Sequence, residues 1–214
     1  MGTTKLEVYN AALTICGERT LASLTENREP RRLLDQVWDN DGVRACLERG
    51  QWNFAMRAAR LDYDPSVTPD FGYQRAFNKP TDWVLTSAVC TDEYFNVPLT
   101  QYVDETGFWY ADYDEIFVKY VSDDANYGGD LSIWPATFTD YASAHFAEKI
   151  ILKITSDENK RDMVFKWADR QLKRAKSNDA MASPTAFPAP GSWVKSRAGS
   201  GSRRDRGSRG NLIG

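Results

Sequence analysis

Helical periodicity on both sides of a middle segment that cannot be helical decides the fold class of this chain. Between residues 57 and 121 come Pro65, Pro69, Pro80 and Pro98, and a proline inside a helix removes a donor and clashes with the preceding turn. Short apolar or alternating runs lie between them. Residues 83–90, 108–110 and 116–121 read as strands, with β-branched and aromatic residues bounded by turn formers. In the last, Ile116, Val118 and Tyr120 alternate with Phe117, Lys119 and Val121, so neither face is clearly polar. The polar link at 112–115 predicts a hairpin joining 108–110 to 116–121. A small antiparallel sheet of this length is expected to lean on a helix or on a neighbouring subunit.

The flanks are helical. Leu6, Tyr9, Ala12, Leu13 and Cys16 recur at three and four, with Thr3 or Thr4 placed to cap and Gly17 placed to stop. Pro30 suits a first helical turn, and Leu33, Leu34, Val37, Trp38, Ala45 and Cys46 form a second apolar stripe, interrupted by Gly42 and closed at Gly50. After Gly128 and Gly129, Asp130 or Ser132 can cap a helix from about Trp134 to Ile154. A short polar link at 155–157 then leads to a helix with Val164, Ala168, Leu172 and Ala175 on one face and Met163 and Trp167 beside it. That link length predicts an αα-hairpin. The expectation is an α+β chain: an antiparallel helical bundle built from 4–56 and 130–178, carrying a β insertion at 57–125, with residues 1–181 as one domain. From 182 to 214 Pro, Gly, Ser and Arg dominate, a composition with too little apolar surface to fold alone, so a flexible basic arm is expected.

Charge follows the same division. Six basic residues after position 194 (Lys195, Arg197, Arg203, Arg204, Arg206 and Arg209) face one acid, Asp205, so this segment carries +5 and residues 1–194 carry -8. An acidic body with a basic arm does not suit a groove-type nucleic-acid binder. The arm itself has the makings of a nonspecific phosphate binder, or of a segment that folds into an acidic groove on another protein. Aromatic residues are 13% of the chain, and large rings suit thin sheets and subunit interfaces. Cys16, Cys46 and Cys90 are widely spaced and odd in number, which favours free thiols in a reducing compartment over disulfides or zinc. No apolar run is long enough for a secretory signal or a membrane span, and Leu6 does not complete a myristoylation pattern.

Catalytic chemistry has little to stand on. The single histidine, His145, falls on an apolar helix face and reads as a packed or interface residue. The acidic groups Asp92/Glu93, Asp104/Glu105, Asp112/Asp114/Glu115 and Asp123/Asp124 sit in turns without EF-hand spacing. Asp123, Asp124 and Asp130 are the best cation candidates among them. Phosphate-binding, zinc-protease and nucleophile-elbow motifs do not occur.

Three stretches carry a family resemblance. PRRLLDQVWDNDGVRACLERGQWNFAMRAARL, 30–61, ends in a W-N-F-A element at Trp52, Asn53, Phe54 and Ala55. FGYQRAFNKPTDWVL, 71–85, sets Phe77, Lys79, Pro80 and Asp82 at a Y-x-L-P-x-D step, with Asn78 where an apolar residue is expected. The stretch 107–150 carries a hairpin-like pattern, a Y-x-x-D strand end at Tyr120 and Asp123, and a W-P-x-x-F helix opening at Trp134, Pro135 and Phe138. In this order they resemble phage tail tubular protein A and related head-to-tail adaptor proteins, over residues 4 to about 178. The resemblance implies a structural virion protein without catalytic residues, cofactor or metal. It implies a ring, typically of twelve copies, in the virion neck after assembly in the host cytoplasm. The ring's partners would be the portal, the tail nozzle or tail tube, and the double-stranded DNA passing through its channel, with no membrane. The basic arm has no counterpart in the family pattern. Portal binding by Trp193, Lys195, Arg197, Arg203, Arg204, Arg206, Arg209, Leu212 and Ile213 is the hypothesis it suggests; an arm that binds DNA, or a different neck or tail ring such as a tail terminator, are the alternatives.

Overall fold

A computed structural model describes residues 2–182, and over that range the chain is mixed α+β, with five α-helices and two small antiparallel sheets. Helix α1, Lys5–Cys16, opens with a capping box. The Thr4 hydroxyl accepts from the Glu7 N–H while the Glu7 carboxylate accepts from the Thr4 N–H at 2.7 Å, so two otherwise orphaned donors are satisfied. Gly17 ends it at φ +77°, a left-handed conformation that glycine adopts without steric cost. Helix α2, Glu29–Val37, carries Pro30 in its first turn. It runs through a π-helical turn, Trp38–Gly42, into α3, Val43–Leu47, so the interruption expected at Gly42 takes the form of a wider turn, not a break.

Helices α4, Ala136–Thr155, and α5, Glu158–Ala182, are joined by two residues, with Ser156 left-handed at φ +52°. Asp157 accepts from the N–H groups of Asn159 and Lys160 to start α5. Helix α4 packs against α1, α2 and α5, and its buried Phe138, Tyr141, Ala142, Phe146 and Ile150 meet Tyr9, Leu13, Leu34 and Leu47 in one apolar cluster.

The strands are β1 Met56–Asp62, β2 Arg75–Asn78, β3 Trp83–Cys90, β4 Val103–Glu105, β5 Phe108–Ala111 and β6 Glu115–Ser122. They form two three-stranded sheets, ordered β1-β6-β3 and β2-β5-β4. Two expectations need correction here. The single sheet is two sheets, and the hairpin between 108–110 and 116–121 does not form: β5 pairs with β2 and β4, while β6 pairs with β1 and β3. Residues 112–114 carry the chain from one sheet to the other. Trp109 and Ala111 therefore share a buried cluster with Ile116, Val118 and Tyr120, and burying both apolar faces against each other outweighs the local preference for a tight hairpin. The Arg- and Ala-rich sequence of β1 carries no strand signal of its own.

Candidate functional site

The residues that carry the resemblance converge where helices and sheet meet. The Phe138 ring is a hub: its centroid lies 4.8 Å from Trp52, 4.8 Å from Phe54 and 4.9 Å from Trp134, each edge-on. Edge-to-face packing sets the positive rim of one ring against the negative face of another. Both buried indoles find acceptors, Trp52 at the Leu47 carbonyl (3.1 Å) and Trp134 at the Gly128 carbonyl (2.9 Å). Pro135 stands at the N-cap of α4, preorganising the entry of the helix that presents Phe138. Asn53 binds Asp179 near the end of α5 through its backbone N–H at 3.0 Å, and burial raises the Asp179 pKa.

Pro80 and Asp82 lie in the turn between β2 and β3. Asp82 accepts from Arg57 at 2.8 Å, from the Ser122 hydroxyl and from the Tyr120 hydroxyl at 3.3 Å. Burial opposes its charge, but the hydrogen bonds from Ser122 and Arg57 outweigh that and hold the carboxyl below its usual range. Burial, with Asp82 adding to it, pushes Tyr120 up to about 12. Arg44 on α3 spans to the sheet, donating to Asp123 at 2.5 Å and to the Trp83 carbonyl at 2.6 Å. Asp82 and Arg44 thus tie the β1-β6-β3 sheet to itself and to the helices.

Sequence reasoning missed a neighbouring cage. Lys79, its side chain nearly buried, sits 3.8 Å from the Trp83 ring centroid and 5.4 Å from that of Trp109, and pairs with Asp104. Thr86 accepts from both indoles, at 3.1 and 3.2 Å, and donates to Asp104 at 2.9 Å. Two aromatic faces and a carboxylate offset part of the desolvation cost of a nearly buried lysine. The cage borders an open cleft of about 740 Å³ that also touches Arg44 and Glu105. No spacing signal could have found it, since Lys79 and Asp104 are 25 residues apart.

The candidate chemical groups occupy structural posts. Asp124 accepts from the N–H of Asn126, Asp130 from that of Ser132, and Asp123 pairs with Arg44. Among the described residues no group of three or more His, Cys, Asp or Glu could hold a metal ion, and no helix is long and apolar enough to cross a membrane. The three cysteines are buried and free. His145 is buried on α4, and its Nε2 has no hydrogen-bond partner. Burial, with Lys149 and Arg49 nearby, lowers its pKa to about 4.

Most of the exposed large apolar side chains fall into two sets. Tyr63, Phe71, Tyr94, Val97 and Tyr113 belong to the sheet region, and Met163, Phe165, Trp167 and Met181 to α5. Trp193, Lys195, Arg197, Arg203, Arg204, Arg206, Arg209, Leu212 and Ile213 lie outside the described residues. No known protein-family model matches this chain, and a search of curated proteins finds no match either.

Proposed function

We propose that this chain is a structural subunit of a bacteriophage neck, an adaptor whose copies form a ring joining the portal to the tail. The observation that carries the reading is the junction: the W-N-F-A, P-x-D and W-P-x-x-F elements, far apart in sequence, supply one aromatic hub and one polar tie. On this reading α1, α2, α4 and α5 form an antiparallel bundle, and the two sheets are an insertion that leans on it. Of the two carboxylates bordering the open cleft, Asp104 is held by Lys79, Thr86 and Trp109, which favours architecture over catalysis. An acidic body lets DNA pass without gripping it, because like charges repel. The ring is typically dodecameric, with the portal above and the nozzle or tail tube below. The basic arm docks on the portal, its arginines setting register and encounter rate and its apolar residues anchoring it.

Imaging virions, or the protein mixed with its portal, by cryo-electron microscopy tests this. A continuous ring of the subunit between portal and tail is the expected result; density elsewhere in the particle, or none, overturns the adaptor function. Titrating duplex DNA against the full chain and a 1–190 truncation at two salt concentrations separates the DNA-binding alternative, which requires tight, arm-dependent, salt-sensitive binding.

A further inference from the structure

Exposed apolar side chains and charge are distributed unevenly over the subunit, and in a complementary way. The sheet region, 56–122, holds eleven acidic residues against five basic ones, whereas α5 holds seven basic against four acidic. On α5, Met163, Trp167 and Arg170 share a face by their spacing of four and three. With Ile15 of α1 and Val164 they line a groove of about 380 Å³ whose remaining wall is Lys166. An apolar cavity of about 150 Å³ is enough to take a benzene ring, so this groove has room for an aromatic side chain. Among the described residues Lys166 and Arg170 have no acidic partner, although the Arg170 guanidinium lies 5.3 Å from the Trp167 ring centroid.

The turn after β3 has the opposite character. Tyr94 stands 75% exposed at its tip, with Val97 also exposed. The Asp92 carboxylate accepts from the N–H groups of Asn96 and Val97, at 3.0 and 2.8 Å, and the Thr91 N–H binds the Val97 carbonyl. The turn is therefore stapled into one shape, which lowers the entropy cost of docking it. Glu93, beside Tyr94, is exposed and has no basic partner among the described residues. An aromatic knob flanked by an unpaired anion matches an apolar groove rimmed by unpaired cations.

We propose that the 91–97 turn of one copy docks into the Ile15/Met163/Trp167 groove of the next, Tyr94 filling the groove and Glu93 facing Lys166 and Arg170. The contact deepens the ring reading and depends on it only for closure. Two different patches of the same subunit make a heterologous interface, which propagates copy after copy and closes if the rotation allows. A knob of this size covers less than the roughly 800 Å² per partner of a stable pair. The contact is accordingly weak in isolation and strengthens when a template holds the copies together.

Cross-linking captures a weak contact. The native cysteines are buried, so cysteines introduced on the surface react selectively. In the full chain, Asn96→Cys combined with Met163→Cys is expected to give a ladder of disulfide-linked multimers under mild oxidation at low salt. An equal mixture of the two single variants should give heterodimers and no higher rungs, because each such pair has used both of its introduced cysteines. Lys166→Glu with Arg170→Glu should slow the ladder at least tenfold, and adding Glu93→Lys should restore it. A ladder no faster than that of Asn96→Cys paired with the exposed Leu24→Cys, or one indifferent to charge reversal, overturns the contact. Circular dichroism of each variant separates lost docking from lost folding. If imaging shows the neck ring while the ladder is absent, this interface fails and the adaptor reading stands; a charge-dependent ladder without a neck ring has the reverse meaning.

Discussion

Replacing Phe138 measures how much of the junction's stability comes from ring geometry and how much from buried area alone. Phe138 is 1% exposed, so Phe138→Ala removes a whole side chain from the core, a change that costs about 3–5 kcal/mol. Phe138→Leu keeps most of the volume but none of the edge-on pairs. Three partners sit within 4.9 Å, centroid to centroid, and each such pair is worth about 0.5–1.5 kcal/mol beyond its area. Because the three share one ring and do not add fully, about 2 kcal/mol is expected for the leucine variant and about 4 kcal/mol for the alanine variant. Urea unfolding followed by tryptophan fluorescence reads both, since Trp52 and Trp134 flank the site. Unchanged m with a lowered midpoint identifies a pure stability loss. At about 2–4 °C per kcal/mol for a domain of this size, the alanine variant should melt roughly 8–16 °C below the parent. A leucine variant as stable as the parent, or an alanine loss under about 1.5 kcal/mol, refutes the hub.

Three further outcomes rest on the same packing. Arg44→Ala should cost about 1–2 kcal/mol by removing a charge-assisted bond and leaving the Trp83 carbonyl without its guanidinium. Arg44→Lys should not recover it, since an ammonium cannot fork between both acceptors; a lysine variant as stable in urea as the parent would contradict this. His145 should titrate near pH 4 in a proton NMR series, where a single histidine gives an unambiguous ring signal. Its folded pKa lies below the unfolded value of about 6.5, so the unfolded chain binds more protons between the two and stability falls as pH drops through that window; a midpoint near the unfolded value would sink the argument. Gly128→Ala should destabilise strongly, because a Cβ there meets the Ser122 carbonyl oxygen at 2.4 Å and Leu47 Cδ1 at 2.8 Å; a melting temperature indistinguishable from the parent's would show that the neighbours can move.

What the sequence disclosed was local. The Thr4 cap, the Gly17 stop, the strand at 83–90 and the two-helix finish each rest on residues within a few positions of one another. The hairpin expectation failed because residues 108–111 and 115–122 look locally like partners, while their pairing is decided by β2, β4, β1 and β3 at long range. Strand β1 was hidden for a related reason: Met56–Asp62 reads MRAARLD, a composition with helical propensity that tertiary pairing to β6 overrides. At the junction, Trp52, Phe54 and Phe138 were legible as marked residues, but not as a single cluster. Arg44, Arg57 and Lys79 gave no signal, since their acidic partners lie 79, 25 and 25 residues away. Linear spacing says nothing about such pairs.

The placement of β1 and β6 has a consequence for how such a subunit can change over time. Met56 lies opposite Val121 in the ladder, so the chain leaves the helices and returns to them across one strand spacing, roughly 5 Å. Everything between projects from a clamp at that end, which Arg44 reinforces by holding the Trp83 carbonyl, opposite Ser122, to α3. Lengthening β1 beyond Asp62 and β6 before Glu115 by matched residues would extend its reach by about 3.3 Å per pair without moving the clamp. Span could be altered by insertion or deletion at the free end, while the helical frame at the fixed end keeps its packing.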